Sequence, residues 1–376
     1  MNIEVFDVAA ERSGALTILL EFCREAESTT QHHWIIHVSC DRMTETKNVS
    51  FAYHPWVKRS WIHRLVFEAV AARIAAQHNA AIIISLQNIA IWHARVPQAV
   101  FVHQSLPYSG ERYSALREPK LWAYQHLISR LISRSIQSAD LVAVQSNWMM
   151  QLILRDLPGA VEKIQVVPPF KHPPQSSPRL APTKEERSTF FYPSDFNPYK
   201  NHGVIAEACR LLTRSTRTDF RVELTIDQKS LRSLTASGLP CLQAIGRLDL
   251  EETQRRYHKS ILLYPSKLES YGLPLAEARR CGAIIISADT PVAQEVLREY
   301  PNAHFFDPDD AHSLAEIMKA AIDGSLEYKS VEPYQLIPPQ DAERPSLADL
   351  VKRVIQESEE HRPAKRRKRV HVGQAR

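Results

Sequence analysis

The segment ILLYPSKLESYGLPLAEARRCGAIIISADTPVAQEVL (residues 261–297) decides the fold of its half of the chain. It contains an apolar strand pattern, a polar turn, a helix that opens near Pro274 and a second apolar strand pattern. This order is typical of a parallel sheet with helical crossovers. Glu269 lies on the turn and Glu277 one turn inside the helix. We expect both acids at the carboxyl ends of the strands, where open α/β sheets bind ligands.

The start of this helix is suited to an anionic ligand. Pro274 fits the first helical position, where its missing N–H costs nothing. The backbone N–H groups of Gly272 and Leu273 would face a diphosphate, and Gly272 allows the backbone to approach it closely. We therefore predict a phosphate-binding helix start at Gly272 and Leu273.

Similar strand and helix patterns run through both halves of the chain. Its 376 residues exceed the size at which one hydrophobic core usually stops growing, so two domains are expected. A stretch with six prolines at 168–188 indicates a linker. Short apolar runs predict strands at 2–6, 34–39, 81–86, 99–103, 141–146 and 164–167, then at 188–193, 221–226, 261–266, 283–287 and 303–306. We place the boundaries at 1–173 (first domain), 174–188 (linker), 189–330 (second domain), 331–361 (C-terminal segment and helix) and 362–376 (basic tail).

Composition excludes several classes of protein. With 44% hydrophobic and 24% charged residues, the chain resembles ordinary globular proteins and differs from disordered or collagenous ones. The sequence contains no apolar run of membrane-spanning length and no secretory signal pattern, so we expect a cytoplasmic protein. Five scattered cysteines lack zinc-type spacing, which predicts reduced thiols and no metal ligands. A classical dinucleotide-binding protein is disfavoured because G-x-G-x-x-G is absent.

The net charge of +5 comes from the C-terminus. Residues 361–376 hold seven Lys and Arg and no acid, so the rest of the chain is close to neutral. Such a tail suits an anionic partner, either phospholipid headgroups or nucleic acid, although a solvated terminus without a partner has the same composition. Arg130 and Arg134 add charge to the polar side of a predicted helix over 121–136.

Several segments together resemble family 4 of the retaining glycosyltransferases. The E-x7-E pattern from Glu269 to Glu277 carries the resemblance, and FFYPSDFNPYKNH (190–202) is similar to the opening of that family's second domain. Further likeness lies in AERSGALTILLEF (10–22), FVHQSLPY (101–108), ADLVAVQSNWMMQLI (139–153) and IQVVPPF (164–170). The resemblance implies a GT-B fold, which has two Rossmann-like βαβ domains facing across a cleft. The first would be the acceptor-side domain and the second would bind the nucleotide-sugar donor.

The resemblance also implies roles for particular residues. Glu277 would hold the ribose hydroxyls of the donor, and Glu269 would contact the transferred sugar. Lys200 would neutralise the diphosphate, and His103 would contact the sugar from the first domain. Gly14 corresponds to the glycine loop of the family. No metal or other cofactor is implied. The expected acceptor is a glycan or a lipid-linked glycan in the assembly of surface polysaccharide or glycolipid. The basic tail and the Arg130/Arg134 face predict peripheral contact with an anionic membrane.

Two departures from the family pattern and two alternative functions stay open. The glycine loop has only Gly14 where two glycines are common. Ser194-Asp195 stands where most members have Gly-Arg, and Arg247 could replace that arginine as a phosphate ligand. Asp307-Pro308-Asp309 imitates the D-x-D of metal-dependent transferases, although a turn into the next helix explains it as well. The chain could also be a nucleic-acid or protein interaction module acting through KRRKR (365–369), but the tail lacks interleaved aromatic residues.

Overall fold

The structure is a computed structural model, and it describes residues 1–11, 13–40, 43–170, 181–215, 219–235, 238–346 and 349–356. The chain divides into two compact units, each with its own parallel sheet. The first unit contains Met1–Pro169 and the chain from Arg344 onward, and the second contains Phe170–Glu343. Both units are α/β, as the sequence predicts.

The first unit is built on a parallel sheet of order β3-β2-β1-β4-β5-β6-β7. Its strands are β1 (Asn2–Asp7), β2 (His33–Val38), β3 (Val49–Tyr53), β4 (Ile82–Ser85), β5 (Gln98–Val102), β6 (Leu141–Val144) and β7 (Ile164–Val166). Its helices are α1 (Ser13–Ser28), α2 (Trp61–Gln77), α3 (Pro119–Ala123), α4 (Ser129–Ser138), α5 (Asn147–Asp156) and a C-terminal helix at 349–356. A π-helical turn, Tyr124–Ile128, joins α3 to α4, and 3-10 turns occupy Pro55–Arg59, Leu106–Tyr108 and Pro158–Lys163.

The two faces of this sheet are covered by different helices. On one face, Ile3 and Val5 pack in a core that includes Leu19 of α1 and Leu350 of the C-terminal helix. On the other face, Phe6 packs in a core with residues of α2. Strands buried on both faces explain the nearly continuous apolar runs in the sequence.

The second unit repeats this arrangement with the order β10-β9-β8-β11-β12-β13. Its strands are β8 (Thr189–Tyr192), β9 (Arg221–Leu224), β10 (Leu242–Ala244), β11 (Ile261–Tyr264), β12 (Ile285–Ala288) and β13 (Ala303–Phe306). Its helices are α6 (Lys184–Arg187), α7 (His202–Ser215), α8 (Gln228–Leu234), α9 (Leu250–Lys259), α10 (Leu273–Arg280), α11 (Pro291–Val296), α12 (Ala311–Asp323) and α13 (Pro339–Ala342), with 3-10 turns at Pro198–Lys200 and Pro333–Leu336.

Most of the predicted helices and strands are present. The differences occur where the apolar pattern of the sequence is weak. The apolar runs of the sequence did not predict β3 and β10, which pair at the ends of the two sheets. The predicted linker includes α6, whose Thr183 and Glu186 form a capping box. The predicted C-terminal segment is divided between the units at residues 343 and 344, because Val331 and Leu336 are buried in the second unit while Leu350 is buried in the first.

The order of strands reverses once in each sheet. In the first unit the reversal lies between β1 and β4, and in the second it lies between β8 and β11. Loops that follow two such strands diverge and leave a crevice at their carboxyl ends. The loops after β8 and β11 are therefore the natural place to look for a ligand site in the second unit.

None of the described helices combines the length and apolar character that a membrane span requires.

Candidate active site

Lys200 and Glu269 meet at the strand reversal of the second unit. Lys200 ends the turn that follows β8, Glu269 lies on the loop after β11, and the Lys200 ammonium forms an ion pair with the Glu269 carboxylate. Ser266 donates a hydrogen bond to the same carboxylate oxygen at 2.6 Å. The Lys200 and Glu269 side chains remain 16% and 14% exposed. The two residues predicted to bind neighbouring parts of a donor thus form one partly accessible cluster.

The backbone around this pair holds it in place. The Tyr192 hydroxyl donates to the Lys200 carbonyl at 2.9 Å, and the Lys267 N–H donates to the Tyr199 carbonyl at 2.9 Å. Burial and the nearby Glu269 carboxylate raise the pKa of Tyr192, so its hydroxyl stays a donor. Because the Lys267 contact joins the β8 loop directly to the β11 loop, the ammonium and the carboxylate are pre-positioned.

Glu277 lies on α10, and its carboxylate accepts a hydrogen bond from the Tyr257 hydroxyl of α9 at 2.9 Å. Burial and the Glu277 carboxylate raise the pKa of Tyr257 well above its usual range, so this phenol remains protonated. A protonated phenol donates to the carboxylate and orients it. Sequence reasoning identified Glu277 but missed Tyr257, twenty residues away on another helix.

The start of α10 has the geometry expected from Gly272, Leu273 and Pro274. Gly272 adopts a left-handed conformation with φ of 79°. A Cβ atom there would come within 3.1 Å of the Tyr264 hydroxyl, so the position requires glycine. The Leu275 N–H makes an early bond of the helix, to the Gly272 carbonyl, which leaves the N–H groups of Gly272 and Leu273 ahead of it at the helix terminus.

Arg247 lies after β10 and forms an ion pair with Asp195 on the β8 loop, with 3.3 Å between Nη2 and Oδ1. Both side chains are more than half exposed, so the pair itself contributes little stability. The contact brings Arg247 to the loop that ends at Lys200. The Arg247 guanidinium therefore lies beside Asp195, the position at which most members of the family have an arginine.

His103 follows β5 in the first unit and is held by Asn88. The His103 N–H donates to Asn88 Oδ1 at 2.8 Å, and Asn88 Nδ2 lies 3.2 Å from His103 Nε2. Because an amide NH₂ group can only donate, Nε2 accepts and Nδ1 carries the proton. Among the described residues, this buried Nδ1 has no hydrogen-bond partner. Burial lowers the pKa of His103 to about 4, so the ring is a neutral donor near pH 7.

Asn88 was missed by sequence reasoning, although it has a recognisable signal. It follows β4 directly after Leu86 and Gln87 and has a φ of 68°, a left-handed conformation that asparagine tolerates. Asparagine adopts this conformation more readily than most residues, and here it stands in the loop between two apolar strands. Its role is to position His103.

Gly14 lies near the start of α1 in the first unit, and Asp7 at the end of β1 faces the same connection. Asp7 Oδ1 accepts a hydrogen bond from the Ala10 N–H at 3.3 Å. Burial raises the pKa of Asp7 to about 8. The connection between β1 and α1 therefore contains a carboxyl group that sequence reasoning did not identify.

The Asp307-Pro308-Asp309 segment forms a turn. The Asp309 N–H donates to Asp307 Oδ1 at 2.9 Å, and the Asp309 carboxylate pairs with Lys267. Asp310 then caps α12 by accepting hydrogen bonds from the His312 and Ser313 N–H groups. Both aspartates thus have partners that explain them without a metal. The basic tail, including KRRKR (365–369), lies outside the described residues.

The eight predicted site residues are divided between the units. His103 and Gly14 belong to the first unit. The second unit contains Lys200, Arg247, Glu269, Gly272, Leu273 and Glu277. Of these, the structure brings Lys200 and Glu269 into contact, and it places the others on the adjoining loops and helix.

Comparison with known proteins agrees with this architecture. Residues 177–335 match the model of a family described as glycosyl transferases group 1. A sequence search of curated proteins finds no match.

Solved structures resemble the chain over nearly its whole length. Sucrose-phosphate synthase from Thermosynechococcus elongatus is 14% identical with a TM-score of 0.67, covering 98% of this chain and 99% of that one. WaaG, a glycosyltransferase involved in lipopolysaccharide biosynthesis, is 12% identical with a TM-score of 0.66, covering 90% and 98%. HepE from Anabaena, solved in complex with UDP-glucose, is 16% identical with a TM-score of 0.63, covering 95% and 98%.

These structural likenesses establish the fold, and the family match identifies the class of enzyme. The match spans β8 to α12, which includes all six predicted site residues of the second unit. Residues 177–335 are thus a glycosyl transferases group 1 domain, and the chain is a glycosyltransferase of the GT-B fold.

Proposed function

We propose that this enzyme transfers a sugar from a nucleotide-sugar donor to a glycan or lipid-linked glycan, with retention of anomeric configuration and without a metal. The observation that carries the proposal is the cluster of Lys200, Glu269 and Ser266 at the strand reversal, one loop before the start of α10. A nucleotide-sugar needs cations or N–H donors for its diphosphate and acceptors for its hydroxyl groups. The second unit supplies both.

The donor proposal assigns one part of the nucleotide-sugar to each group. Lys200 and the N–H groups of Gly272 and Leu273 would bind the diphosphate, with Arg247 as an additional cation. The Glu277 carboxylate, oriented by Tyr257, would accept hydrogen bonds from the ribose hydroxyls. HepE has been solved with UDP and with UDP-glucose, which supports a uridine diphosphate donor as the first to test.

The proposed chemistry follows from charge development in the transition state. Breaking the sugar–phosphate bond puts positive charge on the ring and negative charge on the leaving diphosphate, which cations and N–H dipoles stabilise. In the second unit Glu269 would contact the transferred sugar. In the first unit the buried Nδ1–H of His103 is a donor suited to a sugar hydroxyl. Retention without a glycosidase-type carboxylate pair would leave the departing phosphate to help deprotonate the acceptor, as the family resemblance implies.

The acceptor proposal has support from the surface of α2. Trp61, Ile62, Leu65 and Val66 form a contiguous face on this helix and are 72%, 55%, 43% and 49% exposed. The only acid of the helix, Glu68, is buried and pairs with Arg64. An exposed apolar face without acids suits the headgroup region of a membrane, where a lipid-linked acceptor would lie. In this proposal the protein is cytoplasmic and peripheral to the membrane.

The roles of the two acids can be separated by binding and turnover. A thermal-shift screen of nucleoside diphosphates would identify the base, since a ligand at 100 times its Kd adds ~2.7 kcal/mol of stability. Glu277→Ala should then weaken diphosphate binding by about 10-fold or more, because a hydrogen bond to a charged group contributes about 1.5–3 kcal/mol. Glu269→Ala should retain that binding, or tighten it, because it frees Lys200, yet it should lower kcat by about 100-fold or more.

Glu316→Ala is the matched control, since Glu316 is an exposed acid on α12. It should behave like the parent in both assays. If Glu269→Ala and Glu277→Ala both transferred sugar at the parental rate, the proposed assignment would be wrong.

A further inference from the structure

A second cluster of chemically active side chains lies in the first unit. Glu4 of β1 is in contact with His37 of β2 and with His78, which caps the C-terminus of α2. Glu4 Oε1 lies 2.8 Å from His78 Nδ1, while Glu4 Oε2 faces His37 Nε2. Glu4 and His37 are fully buried, and the His78 side chain is 38% exposed. None of these residues belongs to the proposed transfer site.

The position of Glu4 needs a physical explanation. It occupies a central strand beneath α2, next to Ile83 of β4 and Ile35 of β2 in the sheet register. A buried carboxylate is costly unless it is paired with a cation or coordinates a metal. Each of its two oxygens faces an imidazole nitrogen, so the two histidines compensate for the burial of this carboxylate.

The geometry of the three side chains fits a metal ion. One nitrogen from each histidine and a Glu4 oxygen all lie within 4.8 Å of one another, the one such group of His, Cys, Asp and Glu among the described residues. In a tetrahedral zinc site with bonds of about 2.0–2.1 Å, neighbouring ligand atoms are roughly 3.3 Å apart. To accept the ion, Glu4 Oε1 and His78 Nδ1 would separate by about half an ångström, and the contact between Glu4 and His37 would open as well.

The surrounding residues hold the histidines as metal ligands require. His37 Nδ1 lies 2.9 Å from His54 Nε2, so with Nε2 on a metal the Nδ1–H would donate to His54. Asn2 Nδ2 donates to the His78 carbonyl at 2.8 Å, which ties the end of α2 to the start of β1. The ring of Phe6 stacks on His37 with 4.3 Å between centroids and fixes its plane. These contacts orient the side chains without occupying the site.

We propose that Glu4, His37 and His78 form a structural zinc site that fastens the C-terminus of α2 to β1 and β2. Two neutral imidazoles and one carboxylate are ligands that zinc prefers, and a water on the accessible side of His78 would complete four-coordination. The burial of Glu4 and His37 leaves no access for a sugar nucleotide, so the ion would stabilise the first unit and take no part in transfer.

The test compares zinc binding by tag-free full-length protein and three variants. After chelator treatment and dialysis, the parent should take up one zinc per chain by elemental analysis and bind it tightly in competition with a chromophoric chelator. His78→Gln, which keeps a hydrogen-bond donor near Glu4, should bind zinc at least 100-fold more weakly. Glu4→Gln should do the same. His312→Gln, at an exposed histidine on α12, should match the parent.

Stability and spectroscopy give readouts that do not depend on activity. Zinc should raise the Tm of the parent and of His312→Gln but not that of His78→Gln, and cobalt in the parent should show the visible absorption of a tetrahedral site. Circular dichroism establishes that each variant is folded. If the parent takes up no zinc, or binds it no more tightly than His78→Gln, the cluster is a hydrogen-bonded network and the proposal is overturned.

Discussion

At the scale of single residues, Lys200 and Glu269 form an ion pair between two loops of the proposed donor site. Each stands at a position that the sequence analysis assigned to the donor, yet the structure joins them in one ion pair. The pair neutralises two partly buried charges, and in the proposed function a diphosphate would compete with Glu269 for the ammonium. Their contact depends on the pairing of β8 with β11, in which Phe190 lies beside Ile261, and no local pattern around either residue encodes it.

Asp7 gives a pH dependence of stability that can be measured. Burial raises its pKa from 3.8 to about 8, so the folded state retains a proton that the unfolded state releases between these values. The contribution of Asp7 to stability should therefore fall as the pH rises from about 4 to 8. Asp7→Asn retains the acceptor for the Ala10 N–H and removes this ionisation. Relative to the parent, its Tm should increase more at pH 8.5 than at pH 5.

Comparing the parent with Asp7→Asn separates the effect of Asp7 from that of groups whose stability contribution rises with pH. Burial lowers the pKa of His103 and of His202 to about 4, so these residues make stability rise with pH between about 4 and 6.5 in both proteins. The same Tm difference at pH 5 and pH 8.5 would contradict the assignment of a raised pKa to Asp7.

At the scale of elements, α10 is positioned by the segment that follows α12. Buried Arg279 donates to the carbonyls of Gln335 and Ile337, and Tyr271, just before α10, donates to buried Asp341 at 2.6 Å. Burial lowers the pKa of Arg279 to about 10, which still leaves it charged at neutral pH. The orientation of the proposed phosphate-binding helix therefore depends on residues some 60 positions later in the chain.

The turn after β13 provides a test of metal-independent transfer. Because Asp307 accepts the Asp309 N–H and Asp309 pairs with Lys267, Asp307→Asn should keep the turn and change turnover by less than about threefold. Chelator should not lower turnover, and neither magnesium nor manganese should raise it. These assays should be repeated in His78→Gln, which separates a donor-site metal from the zinc proposed in the first unit. A D-x-D mechanism would be favoured if Asp307→Asn lost activity and if both the parent and His78→Gln required magnesium or manganese.

At the scale of the whole molecule, two features support the proposed contact with a membrane surface. The apolar face of α2 lies close in sequence to exposed Arg59 and carries exposed Arg73 on the same helix. The basic tail would add attraction of about 1 kcal/mol per basic residue near anionic lipid. Apolar insertion resists salt, whereas attraction through the tail weakens as the Debye length falls. The two contributions can therefore be separated.

Vesicle sedimentation with anionic lipids should make that separation. Deleting residues 362–376 should reduce binding at low ionic strength and have little effect at high ionic strength, while transfer to a soluble acceptor is preserved. The double variant Trp61→Ser, Leu65→Ser should reduce binding at both low and high ionic strength. Tyr334→Ser, at a 74% exposed tyrosine of the second unit, should bind like the parent. Equal binding by the parent, the truncated protein and the α2 variant would remove both surfaces from the proposal.

The amino-acid sequence by itself determined the class of the fold and predicted the candidate site residues of the second unit. Strand and helix periodicity, the Pro274 helix start and the spacing of Glu269 and Glu277 are local properties, so they can be recognised without coordinates. Tertiary structure alone decided which residues are partners. Asn88 meets His103, Tyr257 meets Glu277, and Glu4 meets His37 and His78 because parallel strands and their crossover helices bring distant segments together. Side-chain contacts of this kind depend on strand order and burial, and neither is a property of any short stretch of sequence.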